Sequence, residues 1–321
     1  MIISQQQYNW RYGVPTPYQL KNSEPILTIH KIDHDSIDFY VLTCTRKSES
    51  SIPLKGKVII CHGYSEHSLM YLRLMEFLLS LGYESLIYDQ RGCGRTSLGK
   101  DRGDSGDSQE VVVNDMSRMI EEFFDIDIEP QDRTITYNLI GHSMGGGIVL
   151  TYLNSGRYKD LINNAIVSCP LIKPHKSLEP HSFIYFIFIY FAYYFPKMRY
   201  FGQIPKHYQE LKSLTSSPEW QEYLYTELLC RNGGTFGQLS HMMQRGKALL
   251  SADLDYNPNL NLLILQSNSD LIVSAEAVES FYNRLKLKKK SFIKINGHHA
   301  LFIETDQIFN EISKIIEVFL K

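Results

Sequence analysis

Several things are scarce in this 321-residue sequence, beginning with an excess of either charge. The 33 Lys and Arg stand against 35 Asp and Glu, a net charge of −2, so there is no basic footprint for nucleic acid. Cysteine is sparse too. Cys44, Cys61, Cys93, Cys169 and Cys230 are odd in number, scattered, and form no C-x-x-C pair. They predict buried free thiols in a reducing compartment, not a disulfide framework. Metal and phosphate signatures are missing: His62 and His67 lack further ligands and read as structural, and no G-x-G-x-x-G or G-K-[ST] occurs. No cofactor or metal is expected. Long hydrophobic runs are also lacking. The opening MIISQQQYNWRYGVPTPY has no apolar core of a secretory signal, and nothing reaches the roughly 18 apolar residues of a spanning helix. An intracellular chain, soluble or peripheral, is expected.

What is present is enough for one large α/β domain: 43% hydrophobic residues, 12% aromatic and 21% charged. Residues 1–24 are polar and Pro-containing, an irregular lead-in. Ile26 to His30 and Ile37 to Thr43 alternate around Asp33-His34-Asp35-Ser36, predicting a hairpin. Val58 to Cys61, Tyr83 to Tyr88, Ile135 to Leu139, Ile162 to Ser168, Leu260 to Gln266 and Ser291 to Ile295 read as strands. Helical patterns at Leu69 to Leu81, Gln109 to Phe124, after Ser143, at Ala275 to Leu285 and at Glu304 to Leu320 separate them. Strands alternating with helices imply βαβ units and a mostly parallel sheet.

The rhythm breaks at 171–246, predicted to be a helical cap inserted into a core of residues 25–170 and 247–321. Within it, Phe183 to Phe195 is apolar or aromatic throughout, followed by Pro196, Lys197 and Arg199. It is too short to span a bilayer and apolar on every face. Two readings stay open here: a helix buried between the core and its insertion, or a lid over an apolar pocket that touches lipid.

The chemistry begins at Gly141-His142-Ser143-Met144-Gly145, a G-x-S-x-G sequence between a predicted strand and helix. That setting puts a serine hydroxyl on a tight, strained turn above the sheet, with the next amide beside it. A serine nucleophile needs a base and a carboxylate to orient that base. In a parallel sheet both belong in loops at the C-terminal ends of later strands. Asp270 follows one such strand and His298-His299 the next. Each is unremarkable alone; together, in the order Ser143, Asp270, His, they predict a triad. Two backbone N–H groups must hold the developing oxyanion. Met144 supplies one, and Tyr64, after the His62-Gly63 turn, supplies the other. Asp89-Gln90-Arg91-Gly92 reads as an organiser of loops.

These motifs resemble the monoacylglycerol lipase branch of the α/β-hydrolases, a branch that includes serine aminopeptidase/hydrolase and lysophospholipase-like enzymes. The resemblance rests on His62 to His67, Asp89 to Ser97, Gly141 to Gly146, Ser269-Asp270 and His299 to Asp306, and covers the chain from about residue 25. Pro170-Leu171-Ile172, Met243 to Gly246 and Glu304-Thr305-Asp306 resemble the yeast-type enzymes in particular. It implies an α/β-hydrolase fold with a helical cap after the sixth strand. It also implies a cytoplasmic enzyme, peripheral on lipid droplets or membranes, that splits monoacylglycerol into glycerol and fatty acid. Two departures stand out: Ser267 where the family usually has glycine, and a Gly297-His298-His299 loop one residue short of G-x-x-H. Spacing back from Glu304 selects His299 as base, with His298 the alternative. The same triad would serve a lysophospholipase or general carboxylesterase. A catalytically silent binding protein would be expected to have lost one of the three residues, and all three stand.

Overall fold

The computed structural model describes residues 15–22, 25–128, 132–179, 182–199, 211–230 and 233–321. A hairpin opens the chain, β1 (Ile26–His34) and β2 (Ile37–Thr45), turning through Asp35 and Ser36, both at positive φ. There follow β3 (Gly56–Cys61), α1 (Leu72–Ser80) with a 3-10 turn at Ser68–Tyr71 before it, and β4 (Tyr83–Tyr88). Next come α2 (Gln109–Phe123), β5 (Thr136–His142), α3 (Met144–Ser155) and β6 (Asn164–Ser168). A long insertion carries α4 (Ser182–Tyr194), α5 (Pro218–Thr226) and the start of α6 (Phe236–Ser251). The chain closes with β7 (Asn261–Ser267), α7 (Ala275–Arg284), β8 (Lys289–Ile295) and α8 (Asp306–Phe319).

The eight strands form one sheet in the order β1-β2-β4-β3-β5-β6-β7-β8. β1 with β2 and β2 with β4 are antiparallel; every other pairing is parallel. This is the α/β-hydrolase fold expected from the motifs. The continuous apolar runs of the central strands follow from burial on both faces. The pleat sends alternate residues to opposite sides. Ile59, Leu86, Leu139, Val167 and Ile264 join a core with α2, α3, α6 and α7, whereas Ile60, Ile87, Ile140, Ile166 and Leu263 join one with α1 and α8.

Of the lead-in expected at 1–24, residues 1–14 and 23–24 lie outside the described residues. The described part is irregular and docked: Glu76 of α1 accepts the Lys21 N–H at 3.0 Å, the Asn22 N–H at 2.7 Å and the Tyr18 O–H. All five cysteines are buried and free. The core-to-insertion boundary expected at residue 246 falls inside α6, which runs unbroken to Ser251. Expectations touching 200–210 lie outside the described residues. The aromatic run does form a helix, and the end of it is exposed: Tyr190, Tyr193, Tyr194 and Phe195 are 51, 77, 60 and 51% exposed. Among the described side chains, Phe188 and Phe191 pack with their centroids 5.5 and 5.3 Å from that of Phe236 of α6. A helix apolar all round can bury only the flank that faces a neighbour. Among the described residues no helix is long and apolar enough to cross a membrane.

Candidate active site

Parallel register brings the loops together. Cys61 pairs with Gly141, His142 with Ser168, and Ser267 with Ile295, so the carboxyl ends of β3, β5, β6, β7 and β8 lie side by side. Ser143 caps α3 at φ 51° and ψ −118°, a backbone conformation costly for any residue with a Cβ. Its neighbours hold it there. The Ser143 N–H donates to Ser168 O at 2.9 Å, and its carbonyl accepts from Gly147 at 3.0 Å and Leu171 at 2.8 Å. Gly145 is obligatory, because a Cβ there would stand 2.1 Å from the Cys61 carbonyl. Helix α3 thus begins in backbone contact with the end of β3.

The three side chains predicted as a triad meet. His299 Nε2 lies 2.9 Å from Ser143 Oγ, and His299 Nδ1 lies 2.8 Å from Asp270 Oδ2. Ser143, His299 and Asp270 are all buried. Asp270 Oδ1 accepts the Ile272 and Val273 N–H groups at 2.8 and 2.9 Å, which aims Oδ2 at the imidazole. Burial by itself would raise this carboxyl, but the His299 ring and those amides outweigh it and hold it at about 2. Asp270 is therefore an anion across the working range, as an orienting carboxylate must be.

His298, the alternative base, faces elsewhere. Its Nδ1 lies 2.9 Å from Ser216 Oγ and 3.2 Å from Glu304 Oε1, and its N–H donates to the same carboxylate at 2.8 Å. Glu304 also accepts the Ser216 N–H at 2.8 Å, which ties the base loop to the insertion. His298 thus ties loops together and does not reach Ser143.

Of the two expected oxyanion donors, Met144 opens α3, where an N–H has no intrahelical acceptor. Tyr64 follows the turn at the end of β3. That turn is braced by a residue the sequence reading passed over. Glu66 accepts the Gly63 N–H at 2.6 Å and the Tyr71 O–H at 2.5 Å, and lies 3.5 Å from His142 Nε2. A carboxylate three residues past a turn glycine was the available signal. Burial pushes His142 down to about 4, with Glu66 partly opposing it, so this ring, tilted against His299 with centroids 4.9 Å apart, stays neutral near pH 7. His62 is structural, its Nε2 accepting the Gln90 N–H at 2.9 Å. Asp89 organises loops, accepting from Ser68 at 2.6 Å and Arg95 at 2.7 Å.

Cys169 Sγ, Asp270 and His299 offer potential metal-ligand atoms within 4.8 Å of one another. Two of the three are the hydrogen-bonded pair already described, and burial pushes the Cys169 thiol well up, leaving it protonated. The arrangement is one for proton transfer at a serine.

The chain has relatives among known proteins. The family model described as serine aminopeptidase, S33 matches residues 52–306. The monoglyceride lipase of Saccharomyces cerevisiae is 28% identical over 306 residues, covering 93% of this chain and 94% of that protein. A probable lysophospholipase L2 of Haemophilus influenzae is 24% identical and covers 82% of this chain and 83% of its own. Among solved structures, a soluble variant of the S. cerevisiae monoglyceride lipase in complex with a substrate analogue superposes with a TM-score of 0.82 at 27% identity. It covers 96% of this chain and 98% of its own.

Proposed function

Since the chain belongs to the serine aminopeptidase, S33 family, we propose that it is a serine ester hydrolase releasing fatty acid and glycerol from monoacylglycerol. The observation that carries this is the unbroken line of hydrogen bonds from Asp270 through His299 to Ser143, 2.8 and 2.9 Å long. Ser143 Oγ attacks the ester carbonyl while His299 Nε2 takes its proton. The resulting imidazolium is stabilised by Asp270, which stays ionised. The Met144 and Tyr64 N–H groups hold the oxyanion. His299 then protonates glycerol as it leaves, and water, deprotonated by the same ring, frees the acyl group. The similarity to a lipase bound to a substrate analogue supports the choice of ester.

The insertion, 171–246, serves as a cap that receives the acyl chain, and the exposed side of α4 rests on a membrane or lipid-droplet surface. Tyr and Phe on that side, with Lys197 and Arg199 beside them, suit the boundary between lipid and water. A lysophospholipid is the second reading, favoured by the likeness to the H. influenzae protein.

One experiment tests both. Purified protein, Ser143→Ala, His299→Ala and His298→Ala are given monoacylglycerol and lysophosphatidylcholine, and free fatty acid is measured. Ser143→Ala and His299→Ala are expected to lose at least about a thousandfold in kcat. His298→Ala keeps activity within roughly tenfold, because the ring ties loops and does not touch the nucleophile. Turnover by folded Ser143→Ala overturns the mechanism, and a preference for the lysolipid overturns the substrate.

A further inference from the structure

Tyr64 is bound at both ends. Its backbone follows the Gly63 turn that Glu66 braces, and its phenolic oxygen accepts the Gly234 N–H at 2.8 Å, 170 residues further along the chain. Gly234 lies in the short segment that enters α6, and this segment is clasped from two sides. On one, Thr235 N–H donates to Gly103 O at 2.9 Å, and a Cβ on Gly103, at φ +80°, would stand 2.4 Å from Gly233 O. On the other, Phe236 N–H donates to Met198 O at 3.0 Å and Gly237 N–H to Pro196 O at 2.8 Å, while Phe236 stacks on Phe191 of α4. The Thr235 side chain caps α6 by accepting from Gln238 N at 3.1 Å. A continuous set of contacts therefore runs from the exposed aromatic helix, through Phe236 and Gly234, to the residue expected to donate the second oxyanion hydrogen bond.

We propose that the Tyr64 side chain positions its own backbone N–H, and that its phenol–Gly234 hydrogen bond makes the oxyanion geometry depend on how α4 and α6 are seated. Gly63 is fixed from the core by Glu66, and Tyr64 from the insertion by Gly234. An oxyanion donor acts only if it is preorganised, and a displacement of about 1 Å is enough to cost up to 10²-fold in rate. The phenol thus sets kcat without touching substrate. The inference rests on the reading in which Ser143 attacks an ester.

The test is a double-mutant cycle on the full chain with p-nitrophenyl butyrate, a water-soluble ester. Tyr64→Phe removes the acceptor and leaves the backbone N–H in place. Gly234→Ala acts from the other end, since its Cβ would fall 2.8 Å from Tyr64 Oη and 2.5 Å from Gln238 Oε1. Each is expected to lower kcat, counted per active site titrated with a fluorophosphonate so that misfolded protein does not contribute, about tenfold with KM within twofold. Together they should cost less than twofold beyond Tyr64→Phe alone. Full kcat in Tyr64→Phe, or losses that simply multiply, overturns the proposal. Should Tyr64→Phe not fold, the kcat and KM split in Gly234→Ala decides. Ser143→Ala is assayed alongside: if it still turns over, the reading of the site has failed instead.

Discussion

Asp270 shows how single residues set this site. Two amides fix one of its oxygens, and the imidazole takes the other. Ser267, at the end of β7, links two loops. Its hydroxyl donates to Gly297 O at 2.6 Å and accepts from Ser269 N at 3.0 Å, joining the acid loop to the base loop. The depressed Asp270 carboxyl is also a stability statement. Its folded value of about 2 lies below the ordinary 3.8. It contributes about 2 kcal/mol that is present above pH ~4 and lost as pH falls toward 2. Asp270→Asn is therefore expected to be less stable than the parent at pH 7. In acid titrations followed by circular dichroism, the two stabilities should converge near pH 2. A constant difference down to pH 2 would contradict the assignment.

At the scale of elements, α4 is set apart from the other helices. It has no polar face, so hydrophobic periodicity could not say which side packs. The flank bearing Phe188 and Phe191 meets α6, and the flank bearing Tyr190, Tyr193 and Tyr194 stays on the surface. This exposed patch is the face on which the proposed lipid contact rests. Replacing Tyr193 and Tyr194 together by Asp should weaken flotation with phosphatidylcholine vesicles about tenfold or more. Hydrolysis of p-nitrophenyl butyrate should change less than twofold, because neither ring packs against α6. Equal vesicle binding by the variant would remove lipid contact from this face.

Across the whole molecule, distant parts of the chain are closed onto one another by buried polar side chains. Arg73 of α1 is the clearest case. Its guanidinium reaches Asp306 at 3.0 Å, the Phe302 carbonyl at 3.1 Å and the Glu304 carbonyl at 2.5 Å, and lies 4.0 Å over the Phe309 ring. It fastens the segment after the base loop to the second face of the sheet. Arg73→Met would leave two buried carbonyls without that donor, a loss of about 2–4 kcal/mol. For a chain of 321 residues that is a fall in Tm on the order of 3–6 °C by differential scanning. An unchanged Tm would show that the clamp is idle.

The sequence by itself determined the order of strands and helices, because burial on both faces makes central strands continuously apolar and amphipathic helices announce their period. It also marked out the serine, the carboxylate and the two histidines that the proposed mechanism draws on, since each follows a recognisable strand end and a parallel sheet gathers those ends. Three matters were decided only in three dimensions. His299 and not His298 meets Ser143, because successive side chains leave the backbone in different directions and only packing says which turns inward. The brace of Gly234 on Tyr64 joins residues 170 apart, whose pairing no local pattern encodes. The exposed side of α4 was fixed by its neighbour, since a helix apolar on every face carries no directional signal of its own.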